Sequence, residues 1–95
     1  MPSKTTRILL ADDHGVVRNG FRALLAAQWD MEVVGEASNG REAVEMAEKF
    51  TPDVVVMDVT MPELNGIEAA RQITKVLPKT RILALSMQKD SVYVR

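Results

Sequence analysis

Four short apolar runs punctuate the chain: Ile8-Leu9-Leu10-Ala11, Val33-Val34-Gly35, Val54-Val55-Val56-Met57 and Ile82-Leu83-Ala84-Leu85. The first, third and fourth are continuous rather than alternating, as strands are when both faces of a parallel sheet are covered. Met31 to Ala37 mixes apolar and polar positions, which suits an edge strand. Between the runs the apolar residues recur at helical spacing. Val17, Phe21, Leu24, Leu25 and Gln28 make one stripe, Ala43, Val44, Ala47 and Phe50 a second, and Ile67, Ala70, Ile73 and Leu77 a third. Two of these helices share a start signal. In Asn39-Gly40-Arg41-Glu42 and Asn65-Gly66-Ile67-Glu68 an N-cap Asn precedes a Glu by three residues. Asn-Gly also favours hairpin turns, but the helical spacing that follows points to the cap. Pro52 and Pro78 fall just past a stripe, where proline ends a helix.

The order is therefore β-α-β-α-β-α-β, with a last helix beginning near Asp90. Alternation of this kind predicts an α/β doubly wound parallel sheet with right-handed crossovers and helices on both faces. No repeat, low-complexity tract or linker interrupts it, so residues 1–95 read as one domain.

Polar residues close the central runs. Ile8 to Ala11 ends in Asp12-Asp13, Val54 to Met57 in Asp58, and Ile82 to Leu85 in Ser86. In a parallel sheet the carboxyl ends of the strands share one edge, where ligands bind. Any single Asp at such a place reads as a turn or capping residue; the pattern over three strands points to a site. Carboxylates gathered there repel, by about 4 kcal/mol per pair at 4 Å and an effective dielectric near 20. Either one of them holds a proton or a cation sits among them. A ligand set of oxygens, without His or Cys, favours Mg²⁺. Mg²⁺ beside an isolated Asp suits phosphoryl transfer onto that Asp.

Composition narrows the classes. An apolar fraction of 46% supplies a core, and 12 basic against 13 acidic residues give a formal charge of −1. That balance predicts no general attraction to nucleic acid or anionic membrane. The chain has no Cys, hence no disulfide framework or thiolate metal site. Met1 to Arg7 leads into too short an apolar run for a secretory signal or a membrane span. The expectation is a soluble, cytoplasmic protein.

The motifs together resemble the receiver domain of two-component response regulators. Ile8-Leu-Leu-Ala-Asp-Asp-His14 is similar to that family's acidic-pair motif. Val56-Met-Asp-Val-Thr-Met-Pro62, with Gly66, resembles its phosphoacceptor motif, and Leu83-Ala-Leu-Ser86 its switch-hydroxyl strand. Val16 to Leu25, Val33 to Gly40 and Tyr93-Val94 are similar to the NarL/FixJ-type transcriptional subgroup.

The resemblance implies a flavodoxin-like fold with strand order 2-1-3-4. It implies that Asp58 accepts a phosphoryl group from a phosphohistidine on a sensor histidine kinase. Asp13 would ligate Mg²⁺ directly, Asp12 would assist through water, and Thr60 would offer its backbone carbonyl. Ser86 would hydrogen-bond the phosphoryl group and transmit the signal, with Met87 at the pocket mouth. The family's invariant Lys closes a fifth strand that this chain does not reach; Lys89 stands at the wrong place to replace it, and Tyr93 is too early for the family's aromatic switch residue. The expectation is thus a C-terminally incomplete receiver without its fifth strand, last helix or effector domain. Its parent would be a transcription regulator that binds DNA through that further domain. Without a fifth strand, Ile82 to Leu85 would be an apolar edge inviting a homodimer or segment swap.

Other residues read as ordinary. His14 is expected to be exposed in a first helical turn, and Arg18 and Arg22 to lie on a solvated face, a kinase-contact role being the alternative. Trp29 and Phe50 are expected to pack at helix ends, and the six Met residues to fill gaps. Two other functions fit parts of the pattern. An aspartyl-phosphate hydrolase of the haloacid dehalogenase type also uses Asp and Mg²⁺, but expects an Asp where Thr60 stands. A receiver-like interaction module that takes no phosphate is the second.

Overall fold

The computed structural model describes residues 5–58, 66–85 and 92–94. Eight elements follow in order: β1 (Thr6–Ala11), α1 (Gly15–Ala26), β2 (Met31–Ala37), α2 (Gly40–Phe50), β3 (Val54–Asp58), α3 (Gly66–Val76), β4 (Arg81–Leu85) and β5 (Val92–Val94). They build one sheet of order β2-β1-β3-β4-β5, in which the first three pairings are parallel. The expected order 2-1-3-4 is present, with the mixed segment Met31–Ala37 at the edge.

β5 is the departure. Where a helix is expected to begin near Asp90, Val92–Val94 forms a strand antiparallel to β4, pairing Leu83 with Val94 and Leu85 with Val92. Asp90 itself lies outside the described residues. Two Val and a Tyr favour extended backbone, and β4 offers unpaired backbone groups to meet it. The bare apolar edge that motivated self-association is therefore covered over Leu83–Leu85.

The continuous apolar runs divide between the two faces by alternation. Leu9, Ala11, Val55, Met57 and Ile82 turn to one face, under Ala43 and Ala47 of α2 and Ala69 and Ile73 of α3. Ile8, Leu10 and Val56 turn to the other, where Phe21 and Leu25 of α1 pack. Small residues on α2 and α3 let those helices lie close to the sheet.

Some stripe members face outward instead. Leu24 and Ile67 are exposed, as is Trp29, at 73%. Trp29 occupies the short turn between α1 and β2 rather than a packed helix end. On α3 the expected stripe holds at Ile73, which is buried, and at Ala70 and Leu77, which pack against the core; only Ile67 faces out, with Gly66 and Ala69 buried in its stead.

Local signals set the boundaries. Asn39 caps α2, its Oδ1 accepting the Glu42 N–H at 2.8 Å, while Glu42 Oε1 accepts the Ser38 N–H at 2.8 Å. This reciprocal pair satisfies amides that the first helical turn leaves open. Asn65 lies outside the described residues. Thr51, at φ 43°, ends α2 in the left-handed region before Pro52. At the amino edge of the sheet Asp53 bonds both neighbouring strands: its Oδ2 accepts the Arg7 N–H at 2.8 Å and its carbonyl the Arg81 N–H at 2.9 Å.

Candidate functional site: an acidic pocket at the carboxyl edge

Topology selects the place. From β1 the chain crosses by α1 to β2 on one side, and β3 then lies on the other side of β1. The chain thus parts between β1 and β3, the switch point where a doubly wound sheet opens a crevice. The register aligns Ala11 with Met57, so the next residues, Asp12 and Asp58, stand side by side at that crevice. Both are buried, Asp12 at 6% exposure and Asp58 at 1%. Asp13 follows Asp12 at the rim.

Asp12, Asp13, His14 and Asp58 each present a ligand atom, all within 4.8 Å of one another. The three carboxylates expected to converge do so. The donor set, however, is not purely oxygen. His14 Nδ1 lies 3.0 Å from Asp12 Oδ1, 3.2 Å from Asp13 Oδ1 and 3.5 Å from Asp58 Oδ2. Half of its side chain is exposed, in line with expectation, yet it precedes α1 as the N-cap residue and turns its ring nitrogen into the pocket. The cause is local: Asp12 Oδ1 also accepts the His14 backbone N–H at 2.7 Å, a tight turn that brings the ring back over the acids. The hydrogen bond with Asp12, then the charge of Asp13, raise the His14 pKa above its ordinary value.

Carboxylate oxygens suit a hard cation such as Mg²⁺, and a cation would relieve their mutual repulsion. By donor chemistry Asp12, Asp13 and Asp58 fit that ion; His14 would add an imidazole at the rim. Thr60, Ser86, Met87 and Lys89 lie outside the described residues. Leu85 pairs with Asp58.

Two residues that read as solvated have defined partners. The Arg18 side chain is 23% exposed and its Nε donates to Glu36 Oε1 at 3.0 Å. Its Nη1 donates to the Asp12 carbonyl at 2.6 Å. Arg22 Nε reaches Glu36 Oε2 at 3.1 Å. Nothing in the sequence joins Arg18 to Glu36, because their approach depends on β2 pairing with β1.

Among the described residues no helix is long and apolar enough to cross a membrane. The chain is 48% identical over 89 residues to the transcriptional regulatory protein LiaR of Bacillus subtilis (strain 168), covering 92% of this chain and 42% of that protein. It is 41% identical over 88 residues to the transcriptional regulatory protein DegU of Brevibacillus brevis, covering 93% and 37%. It thus spans about two fifths of the length of these curated relatives. The crystal structure of a LuxR-family two-component response regulator from Aurantimonas sp. SI85-9A1 superposes with a TM-score of 0.84 at 43% identity, over 90% of this chain and 61% of that one. Residues 8–95 match the response regulator receiver domain family, and with the fold and the acidic pocket in agreement, the chain belongs to it.

Proposed function

We propose that the chain is the phosphoacceptor switch of a two-component system, with Asp58 as acceptor and Mg²⁺ as cofactor. The observation that carries this reading is the meeting of Asp12, Asp13 and Asp58 at the β1–β3 switch point. In the proposed step an Asp58 carboxylate oxygen attacks the phosphorus of a phosphohistidine on a sensor histidine kinase. The O–P bond of an acyl phosphate forms as the N–P bond breaks, and the imidazole leaves with the electron pair. Bound Mg²⁺ would neutralise charge on the phosphoryl oxygens.

This chain's residues set the conditions. Burial keeps the Asp58 carboxylate poorly hydrated at the pocket floor, so reaction requires little removal of water. Asp13, at the rim, and Asp12, fixed by its turn to His14, would hold the cation; Thr60 would add its backbone carbonyl. Ser86 would receive the phosphoryl oxygen and pass the change onward. The similarity to transcriptional regulatory proteins supports a parent that acts on DNA through a further domain, in the cytoplasm. The family match favours this reading over the dehalogenase-type hydrolase.

Intact-mass measurement after incubation with acetyl phosphate and Mg²⁺ tests it. The chain should gain the mass of one phosphoryl group and Asp58→Asn should not. No adduct in the full-length parent, or one that persists in Asp58→Asn, would overturn the assignment.

A further inference from the structure

The Arg22–Glu36–Arg18 chain of charges ends on the acidic pocket without entering it. Its last contact is with the backbone: Arg18 Nη1 donates to the Asp12 carbonyl. That carbonyl belongs to the peptide joining Asp12 to Asp13. The peptide on the other side of Asp12 is held too, its N–H donating to the Ala37 carbonyl of β2 at 2.9 Å. Glu36, which orients Arg18, is the neighbour of Ala37 on β2. Both peptides flanking Asp12 are therefore tied to the end of one strand, one directly and one through a guanidinium.

We propose that Arg18 is a positioning residue for the cation site, acting through the Asp12–Asp13 peptide and itself oriented by Glu36. The inference rests on the reading that this pocket takes a divalent cation. Because peptides are planar, fixing the two that flank Asp12 restrains its φ and ψ, and the second of them is also the peptide that leads into Asp13. Holding it sets where both acidic side chains start from. Arginine suits the task because its planar fork bonds the Glu36 carboxylate through Nε and the carbonyl through Nη1 at once; a lysine has no such fixed geometry. Position 18 is one turn into α1 from His14, which brings its side chain back over the β1–α1 turn. Partly exposed ion pairs of this kind contribute little to folding, so loss of Arg18 acts on ligand geometry more than on the fold.

The test uses Mn²⁺ as probe, its free concentration read by electron paramagnetic resonance in Mg²⁺-free buffer, with competition by Mg²⁺. Wild type should bind Mn²⁺ and Asp13→Asn should bind it poorly. Absence of wild-type binding, or binding indifferent to Asp13→Asn, sinks the cation reading and this inference with it. Given wild-type binding, Arg18→Ala should weaken Mn²⁺ by about tenfold, the lower end of what lost outer contacts cost a metal site. Arg18→Lys should recover part of that loss. Glu36→Gln should weaken binding less than Arg18→Ala and add nothing in the Arg18→Ala background, because it acts through the guanidinium. Metal-free melting midpoints should stay close to wild type. Unchanged affinity in Arg18→Ala, or a Glu36→Gln loss that persists in full without Arg18, would overturn the proposal while leaving the cation reading intact. If Arg18→Ala does not fold, Arg18→Lys decides, and wild-type affinity in that variant counts against the role.

Discussion

Replacing Asp58 by Asn should stabilise the metal-free protein, although it removes a buried residue's native side chain. The Asp12 and Asp58 ligand oxygens lie no more than 4.8 Å apart. At that separation and an effective dielectric near 20, two carboxylates repel by about 3.5 kcal/mol. Asp13 repels Asp58 as well, but it stands at the rim, where water screens it. Against this stands the attraction of Asp58 to the His14 ring nitrogen 3.5 Å away, present when the imidazole is protonated. Asn keeps the volume and one carbonyl oxygen, so packing changes little. With these offsets a net gain of about 1–2 kcal/mol is expected, which for a domain this small raises the melting midpoint by about 4–8 °C per kcal/mol. Thermal melts of both proteins in chelator and in saturating Mg²⁺ read this out. In chelator Asp58→Asn should melt higher. In Mg²⁺ the wild type should gain more, by about 2.7 kcal/mol at a hundred times its dissociation constant, and the gap should close or reverse. An Asp58→Asn variant that melts below wild type in chelator would refute the idea that charge repulsion dominates this pocket.

His14 gives a pH dependence. Its pKa in the folded protein lies above the unfolded value of 6.5, so its stabilisation is complete below that value and is lost as pH rises through the folded one. The metal-free melting difference between wild type and His14→Gln should therefore shrink with rising pH; a difference flat across that window contradicts it. Gly35→Val should destabilise by about 1–3 kcal/mol in urea titration, because even a Cβ at Gly35 would stand 3.2 Å from both Leu9 Cδ1 and Met46 Cε; an unchanged midpoint would show that the Met46 side chain yields freely. Asn39→Ala should cost about 1 kcal/mol through loss of the α2 cap, and an unaltered urea midpoint would mean that water replaces the Asn39–Glu42 bond at no cost.

Much of the fold was legible because its signals are local. Continuous apolar runs marked the buried strands, the mixed Met31–Ala37 segment marked the edge, and Asn39 with Glu42 marked a helix start. Asp12, Asp13 and Asp58 could be placed together from the sequence, since strand ends in a parallel sheet share an edge. Helix rotation was less legible. Leu24 and Ile67 match a helical stripe, yet each face is chosen by which residues the sheet can accommodate, and on α3 Gly66 and Ala69 are buried where Ile67 is not.

The chain's own pattern determined the order of elements from β1 through β4 and the residue types at the strand ends, because periodicity and capping act within a few residues. Tertiary structure alone decided that the His14 ring reaches Asp58, that Arg18 spans from Glu36 to the Asp12 carbonyl, and that Val92–Val94 pairs with β4. The first two depend on distances between elements remote in sequence, settled only when β1 lies between β2 and β3; the third depends on β4 having a free side for a strand to join.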